Sequence, residues 1–221
     1  MAKINTVLFD FDGTVMDTNE VIIASWQHTF MTIEGKERSV GEILETMGEP
    51  LGVTMSKMFP DHDVDEAVEI YRDYHRDSFG ERIKLFPGMK ELLASLKGKG
   101  YKLGIVTSRL TGTTMEGLEK YEIREYFDAV VTCDDCARHK PDPEPVNMAL
   151  KKLGSKPEES VMVGDTAFDI LCAKNAGVKS VLVGWALAVK EEERTGENNP
   201  DYIIENPEDL LEILAEGDQG A

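Results

Sequence analysis

Five short apolar runs alternating with helical patterns restrict this chain's core to one kind of architecture. Residues 6–9 (Thr-Val-Leu-Phe), 102–106, 129–132, 161–163 and 180–183 are rich in Val, Ile and Leu, as strands buried on both faces tend to be. Between the last four, helices are expected over 113–121, 143–153 and 166–175. The middle one is the best delimited. It has Asp142 as N-cap, Pro143 at the first helical position and Gly154 just past the end. Gly177 stands near the end of the third. Strand and helix in alternation specify a parallel sheet with helices on its faces, an α/β fold of the Rossmann-like, doubly wound kind.

The interval between the first and second runs breaks this rhythm, because residues 10–101 hold far more than one crossover helix. Val21, Ile22, Trp26 and Phe30 fall near helical spacing within 17–33. Ser39-Val40-Gly41-Glu42 fits a capping box, and Gly48 is placed to stop the helix it opens. Residues 51–58 suit a short helix. Residues 65–79 carry Val68, Tyr71, Tyr74, His75 and Phe79 at helical spacing and stop at Gly80. Phe86-Pro87-Gly88 then interrupts the chain before a helix over 89–97. The expected organisation is an α/β core of residues 1–15 and 84–221 with an all-helical cap inserted at 16–83. The linkers lie near 13–17 and 80–87. A last helix begins at Asn206-Pro207-Glu208-Asp209, and Glu216 to Ala221 is expected to be loose.

Polar residues gather where the strands end. Asp10-Phe11-Asp12-Gly13-Thr14 follows the first strand. Residues i and i+2 of an extended chain point the same way, so Asp10 and Asp12 project together at the edge where open α/β sheets bind ligands. Adjacent carboxylates repel and need a cation or a shared proton. Taken alone, the stretch could be a polar turn with Gly13 at the bend. But Thr107-Ser108-Arg109 follows the second strand, Lys140 precedes the helix at 143, and Gly164-Asp165-Thr166-Ala167-Phe168-Asp169 follows the fourth strand. In the last of these, Asp165 and Asp169 are four apart, on one face of the expected helix. Four unrelated polar accidents would be needed to leave this edge without chemistry.

Composition narrows the partners. Lys plus Arg is 24 against 42 Asp plus Glu, a net charge of −18. Nucleic acid and anionic membrane select basic surfaces, so neither is expected as a partner. An acidic protein that handles an anion must supply local positive charge, from a metal ion or a few placed Lys and Arg. No apolar run reaches the ~18 residues of a membrane-spanning helix, and no basic start precedes an apolar leader. Cys133, Cys136 and Cys172 are too few for a disulfide framework. A reduced, cytoplasmic protein is expected, monomeric or homodimeric. Cys133 and Cys136, with His139 close by, superficially resemble a metal clip, but a structural zinc site needs four ligands. These residues are read as turn and core positions.

The motifs DFDGT, a Thr after the second strand, Lys-Pro and GDxxxD, in this order and spacing, resemble those of the haloacid-dehalogenase-like (HAD) phosphohydrolases. The helical insert directly after DFDGT resembles the cap of their subfamily I. The stretches DTNEVIIASWQHTF, GIVTSRL and KPDPEPVNMALKKLG look like the inorganic pyrophosphatase branch, a close neighbour of the phosphoglycolate phosphatases. The resemblance implies Asp10 as nucleophile and Asp12 as general acid and then general base. It implies Mg²⁺ held by the Asp10 carboxylate, the Asp12 backbone carbonyl and the Asp165 carboxylate. Lys140 would supply a second positive charge, Thr107 would donate its hydroxyl to a phosphoryl oxygen, and backbone N–H groups near Phe11 and Ser108 would do likewise. Asp169 would hold Lys140 or a metal-bound water, or serve only as a first-turn acid of its helix.

Substrate choice is expected to fall to Asn19, Ser108 and Arg109, with Thr18, His28, the loop 47–51, Arg72 and Arg76 as weaker candidates. Arg109 would meet a second phosphate or a carboxylate. Phosphonate-cleaving relatives put a small residue where Asp12 stands, and sugar-phosphate mutases carry an Arg in the cap loop that reads Gly48-Glu49-Pro50-Leu51 here. The preferred substrate is inorganic pyrophosphate. The alternative is 2-phosphoglycolate or another small phosphomonoester. A phospho-acceptor module without turnover is the alternative of a different class. Asp12 and the insert argue against it.

Overall fold

A computed structural model of the chain describes residues 3–47, 50–187 and 199–219. The Cα positions divide it into two compact units, Met1–Asp17 with Leu85–Ala221, and Thr18–Lys84.

The first unit is built on a six-stranded sheet. Its strands are β1 (Thr6–Phe9), β4 (Lys102–Val106), β5 (Ala129–Val131), β6 (Ser160–Gly164), β7 (Lys179–Val183) and β8 (Tyr202–Ile204), in the order β5-β4-β1-β6-β7-β8. Every neighbouring pair is parallel. β1 lies between β4 and β6, with Phe9 opposite Ile105 on one side and Val163 on the other. All four β1 residues are buried, which is why the run carries no polar alternation. From β1 the chain builds outward through β4 and β5, then returns to build β6, β7 and β8 on the other side. The strand order therefore reverses at β1, the point where open α/β sheets form their ligand crevice.

The core cluster around Leu8, Val106, Val131 and Met162 is completed by Val146, Ala149, Leu150 and Leu153 from helix α7 (Glu144–Leu153). Each fully buried aliphatic side chain contributes about 1.5–3 kcal/mol, so the sheet is a rigid base for whatever leaves its strand ends. The start of α7 is one residue later than expected. Pro143 is its N-cap, and Asp142 Oδ1 accepts from Glu144 N at 2.9 Å. The remaining helices of this unit are α5 (Met89–Gly98), α6 (Thr111–Lys120), α8 (Ala167–Asn175) and α9 (Asp209–Gln219). α9 runs to Gln219, where a loose tail from Glu216 was expected, and Gly220 and Ala221 lie outside the described residues.

The second unit contains α1 (Asn19–Glu34), α2 (Val40–Leu44), α3 (Leu51–Met58) and α4 (Val64–Arg82). Its cluster is aromatic: Trp26 stacks on Phe30 at 5.6 Å and meets Tyr71 edge-on at 5.4 Å, with Ile43, Met55, Phe59 and Ala67 alongside. The Ser39–Glu42 capping box is present at the start of α2. Gly48 lies outside the described residues. α4 does not stop at Gly80. A glycine inside a helix costs roughly 1 kcal/mol, and the buried Phe79 and the Arg82–Glu20 ion pair at 3.0 Å offset it. The two-residue strands β2 (Met16–Asp17) and β3 (Lys84–Leu85) pair as a ribbon where the chain passes between the units.

Candidate active site

The ladder of β1 continues one residue past the strand, with Asp10 N donating to Val163 O at 2.8 Å. Thr107 is placed the same way after β4, its N–H donating to Val131 O at 3.0 Å. Backbone pairing to the sheet therefore positions both residues before any side chain takes part. Asp165 follows β6 directly, and Lys140 lies between β5 and α7.

Lys140 is buried, and its Nζ donates to Asp10 Oδ1 at 2.7 Å and to Asp169 Oδ1 at 2.6 Å. The other Asp169 oxygen accepts from Thr166 N at 3.1 Å and Thr166 Oγ1 at 2.8 Å, closing a capping box on α8. One carboxylate thus starts the helix and orients the lysine. Asp165 differs from expectation. α8 begins only at Ala167, with Thr166 extended as its N-cap, so Asp165 stands in the turn before the helix and shares no helical face with Asp169.

Asp10 and Asp12 take different cations. Arg109 Nε donates to Asp12 Oδ2 at 2.9 Å, and Arg109 Nη2 donates to Oδ1 at 2.6 Å. This two-pronged pair joins residues 97 apart in sequence, and nothing in the local pattern announces it. The Thr107 hydroxyl accepts from Arg109 N at 3.2 Å, which leaves its own proton to donate elsewhere. Ser108 beside it is exposed.

Two glycines make room for this cluster. Gly13 has φ +71°, and a Cβ there would strike the Asp165 carboxylate. A Cβ on Gly164 would strike Asp169. The first glycine was legible as a turn residue. The closeness to Asp165 was not.

Burial pushes the Asp10 carboxyl up to about 7; Lys140 opposes this, and Asp169 and Asp12 reinforce it. Burial likewise raises Asp165 well above the usual carboxylate range, helped by Asp169 and Asp10. Burial works against the Lys140 charge, but Asp10 and Asp169 outweigh it and hold the ammonium above the usual lysine range. Asp10 and Asp169 pair with Lys140 and Asp12 pairs with Arg109, so ionising all four carboxyls, Asp165 included, would place four negative charges beside these two cations. Asp165 is 7% exposed and accepts no side-chain hydrogen bond among the described residues. Ligand oxygens of Asp10, Asp165 and Asp169 lie within 4.8 Å of one another. Buried, oxygen-only and under-neutralised, this donor set fits a hard divalent cation.

Asn19 opens α1 in the second unit, after the buried Thr18. In the same unit His28 stacks on Tyr74 at 4.4 Å, and Arg76 pairs with Asp73 at 2.7 Å. Gly48 and Glu49 of the 47–51 loop lie outside the described residues. Cys133 begins a capped turn (Cys133–Asp135), and Cys136 packs in the core cluster. A cavity of about 290 Å³ lined by Lys3, Asn5, Lys99, Tyr101 and Leu211 opens at the opposite ends of the strands, away from Asp10.

A central parallel sheet with a buried aspartate after its first strand, a lysine bridging two carboxylates and an acidic turn after β6 defines a class of hydrolase. Residues 7–183 match the family described as haloacid dehalogenase-like hydrolase. The chain is 40% identical to pyrophosphatase PpaX of Halalkalibacterium halodurans over 96% of its own length and 97% of the relative's. It is 41% identical to pyrophosphatase PpaX of Bacillus pumilus, over 96% and 97% respectively. The structure of a haloacid dehalogenase-like family hydrolase from Streptococcus pneumoniae superposes with a TM-score of 0.86 at 28% identity, covering 96% of this chain and 99% of that one. The chain belongs to the haloacid dehalogenase-like hydrolases. Among the described residues, no helix is long and apolar enough to cross a membrane.

Proposed function

We propose that the chain is a Mg²⁺-dependent phosphohydrolase that works through an aspartyl-phosphate on Asp10, with inorganic pyrophosphate as its substrate. The observation that carries the reaction is the buried Asp10, fixed by backbone to the sheet and by Oδ1 to Lys140. The substrate rests on the full-length similarity to proteins named pyrophosphatase.

An Asp10 carboxylate oxygen attacks phosphorus, and the bond from phosphorus to the leaving oxygen breaks with its electron pair on that oxygen. Asp12 gives the leaving oxygen a proton. Asp12 then takes a proton from water, the water oxygen attacks the same phosphorus, and the acyl-phosphate bond breaks to restore Asp10. Lys140 holds the nucleophile's orientation and places a fixed positive charge beside the phosphoryl group. Thr107 donates its hydroxyl to a phosphoryl oxygen, with the Phe11 and Ser108 backbone as further donors. Asp169 positions Lys140. Mg²⁺, held by Asp10, Asp165 and the Asp12 carbonyl, would neutralise the surplus charge and keep Asp10 ionised. Ser108 and Arg109 bind the rest of the substrate.

The test is phosphate release from pyrophosphate, 2-phosphoglycolate, sugar phosphates and nucleotides, with Mg²⁺ and with EDTA, beside Asp10→Asn. Pyrophosphate leading in kcat/KM by about tenfold or more, and losing turnover under both controls, supports the reading. If 2-phosphoglycolate leads, the chemistry stands and the substrate is wrong. Full activity in Asp10→Asn overturns the chemistry.

A further inference from the structure

We propose that the Arg109 guanidinium is an anion-recognition group occupied at rest by the protein's own Asp12, and that a substrate with a negatively charged leaving group takes it over. This rests on the phosphohydrolase reading above and adds a rule for which substrates the site accepts.

The Arg109 side chain is only 7% exposed, while its Asp12 partner is 29% exposed. Its backbone is held on both sides. Arg109 N donates to Thr107 Oγ1 at 3.2 Å, and Arg109 O accepts from Cys133 N at 3.1 Å. Its guanidinium carbon lies 5.7 Å from the centre of the Phe11 ring. The charge therefore stays near the site, and what can change is the anion paired with it. A guanidinium fork matches a carboxylate and a phosphate equally well. The bond distances to Asp12 show the fork already in use on a carboxylate.

Arg109 follows Thr107 by two residues and Asp12 follows Asp10 by two, so the pair flanks the phosphoryl position. In the proposed reaction Asp12 is the residue that must reach the leaving oxygen. A guanidinium locked on Asp12 is therefore on the leaving-group side and occupies the oxygens that Asp12 needs. A neutral leaving group has nothing to exchange for Asp12. A second phosphate or a carboxylate does: its arrival transfers the guanidinium to substrate, and the released Asp12 carboxylate takes a proton from solvent and carries it to the leaving oxygen. Arg109 thus selects phosphoryl compounds whose leaving group is itself an anion, a diphosphate or a phosphorylated hydroxy acid, over esters of neutral alcohols.

The test uses the full-length protein with Mg²⁺ and a matched pair of substrates, 2-phosphoglycolate and 2-hydroxyethyl phosphate, which differ in a carboxylate against a hydroxymethyl group. Pyrophosphate and p-nitrophenyl phosphate extend the series. The quantity read is the preference, kcat/KM for the anionic leaving group over that for the neutral one. Arg109→Met should lower this preference by about tenfold or more, with Arg109→Lys between it and wild type. A preference within about twofold of wild type in Arg109→Met, both substrates falling together, overturns the inference.

Calorimetric binding of imidodiphosphate gives a second reading that needs no turnover. Asp12→Asn weakens the resting occupant and should tighten binding by about tenfold, and adding Arg109→Met should remove that gain. A gain that survives in the double variant overturns the inference. If wild type releases phosphate from none of the four compounds, the phosphohydrolase reading fails. If it turns them over and only the Arg109 results fail, that reading stands alone.

Discussion

Replacing Asp10 by Asn should stabilise the metal-free protein, although it removes the nucleophile. The reason is the cost of ionising a carboxyl buried among other carboxylates. In the unfolded chain Asp10 titrates near its ordinary value of 3.8, and in the folded protein burial pushes it up to about 7. Between those values the native state binds more protons than the unfolded one, so stability falls as pH rises. The contribution is fully present below about 4 and is lost as pH passes through about 7. A rise from 3.8 to about 7 corresponds to roughly 4 kcal/mol. Asn has the shape of the protonated carboxyl and no charge, and its carbonyl oxygen can still accept from Lys140. In EDTA at pH 8, Asp10→Asn should therefore be roughly 4 kcal/mol more stable than wild type, and near pH 4 the two should coincide. For a chain of this size that is a Tm difference of about 8–16 °C. The assay is thermal unfolding by circular dichroism across pH 4–8, and saturating Mg²⁺ should close the gap by stabilising only wild type. An Asn variant no more stable at pH 8, or a gap that does not narrow towards pH 4, would mean that ionised Asp10 does not destabilise the metal-free fold.

Other consequences follow from single contacts. Lys140→Met leaves Asp10 and Asp169 buried without their shared cation. It should cost about 3–5 kcal/mol in denaturant unfolding of the metal-free protein and lower kcat/KM by about 10³. Gly13→Ala forces a side chain onto Asp165 at a φ of +71°. A Mg²⁺ titration of its activity should show weakened metal dependence, with about 1–3 kcal/mol lost in unfolding. Burial pushes the Cys172 thiol up to about 12. A thiol reagent at pH 8 should therefore modify the half-exposed Cys133 first and reach Cys172 only in denaturant.

The parts of this protein legible in its sequence are those governed by local physics. The strand at 102–106 and the helix at 51–58 matched their patterns to the residue, because burial on both faces or a short amphipathic turn leaves an uninterrupted signal. The third strand of the series was read one residue too long, at Thr132, whose side chain instead caps a turn with Asp135. β8 was not read at all. It is an edge strand of three residues with Ile203 exposed, too short to show a period. Gly80 was read as a stop because propensity is local, whereas the packing that carries α4 past it is not. At the site, the residues following each strand could be listed from order alone, since a parallel sheet brings its strand ends to one edge. Two of their pairings could not. Lys140 meets Asp10 across 130 residues and Arg109 meets Asp12 across 97, and such contacts depend on side-chain reach in the finished fold.

During turnover Asp10 should carry phosphate. Asp12→Asn should slow hydrolysis of the covalent intermediate more than its formation with a good leaving group, so the variant is mixed with Mg²⁺ and ³²P-labelled pyrophosphate and quenched in acid. Label is expected on the peptide containing Asp10, absent when Asp10 is also changed to Asn and absent in EDTA. Phosphate release without label on Asp10, or label that persists in the Asp10→Asn background, would contradict a phosphorylated Asp10.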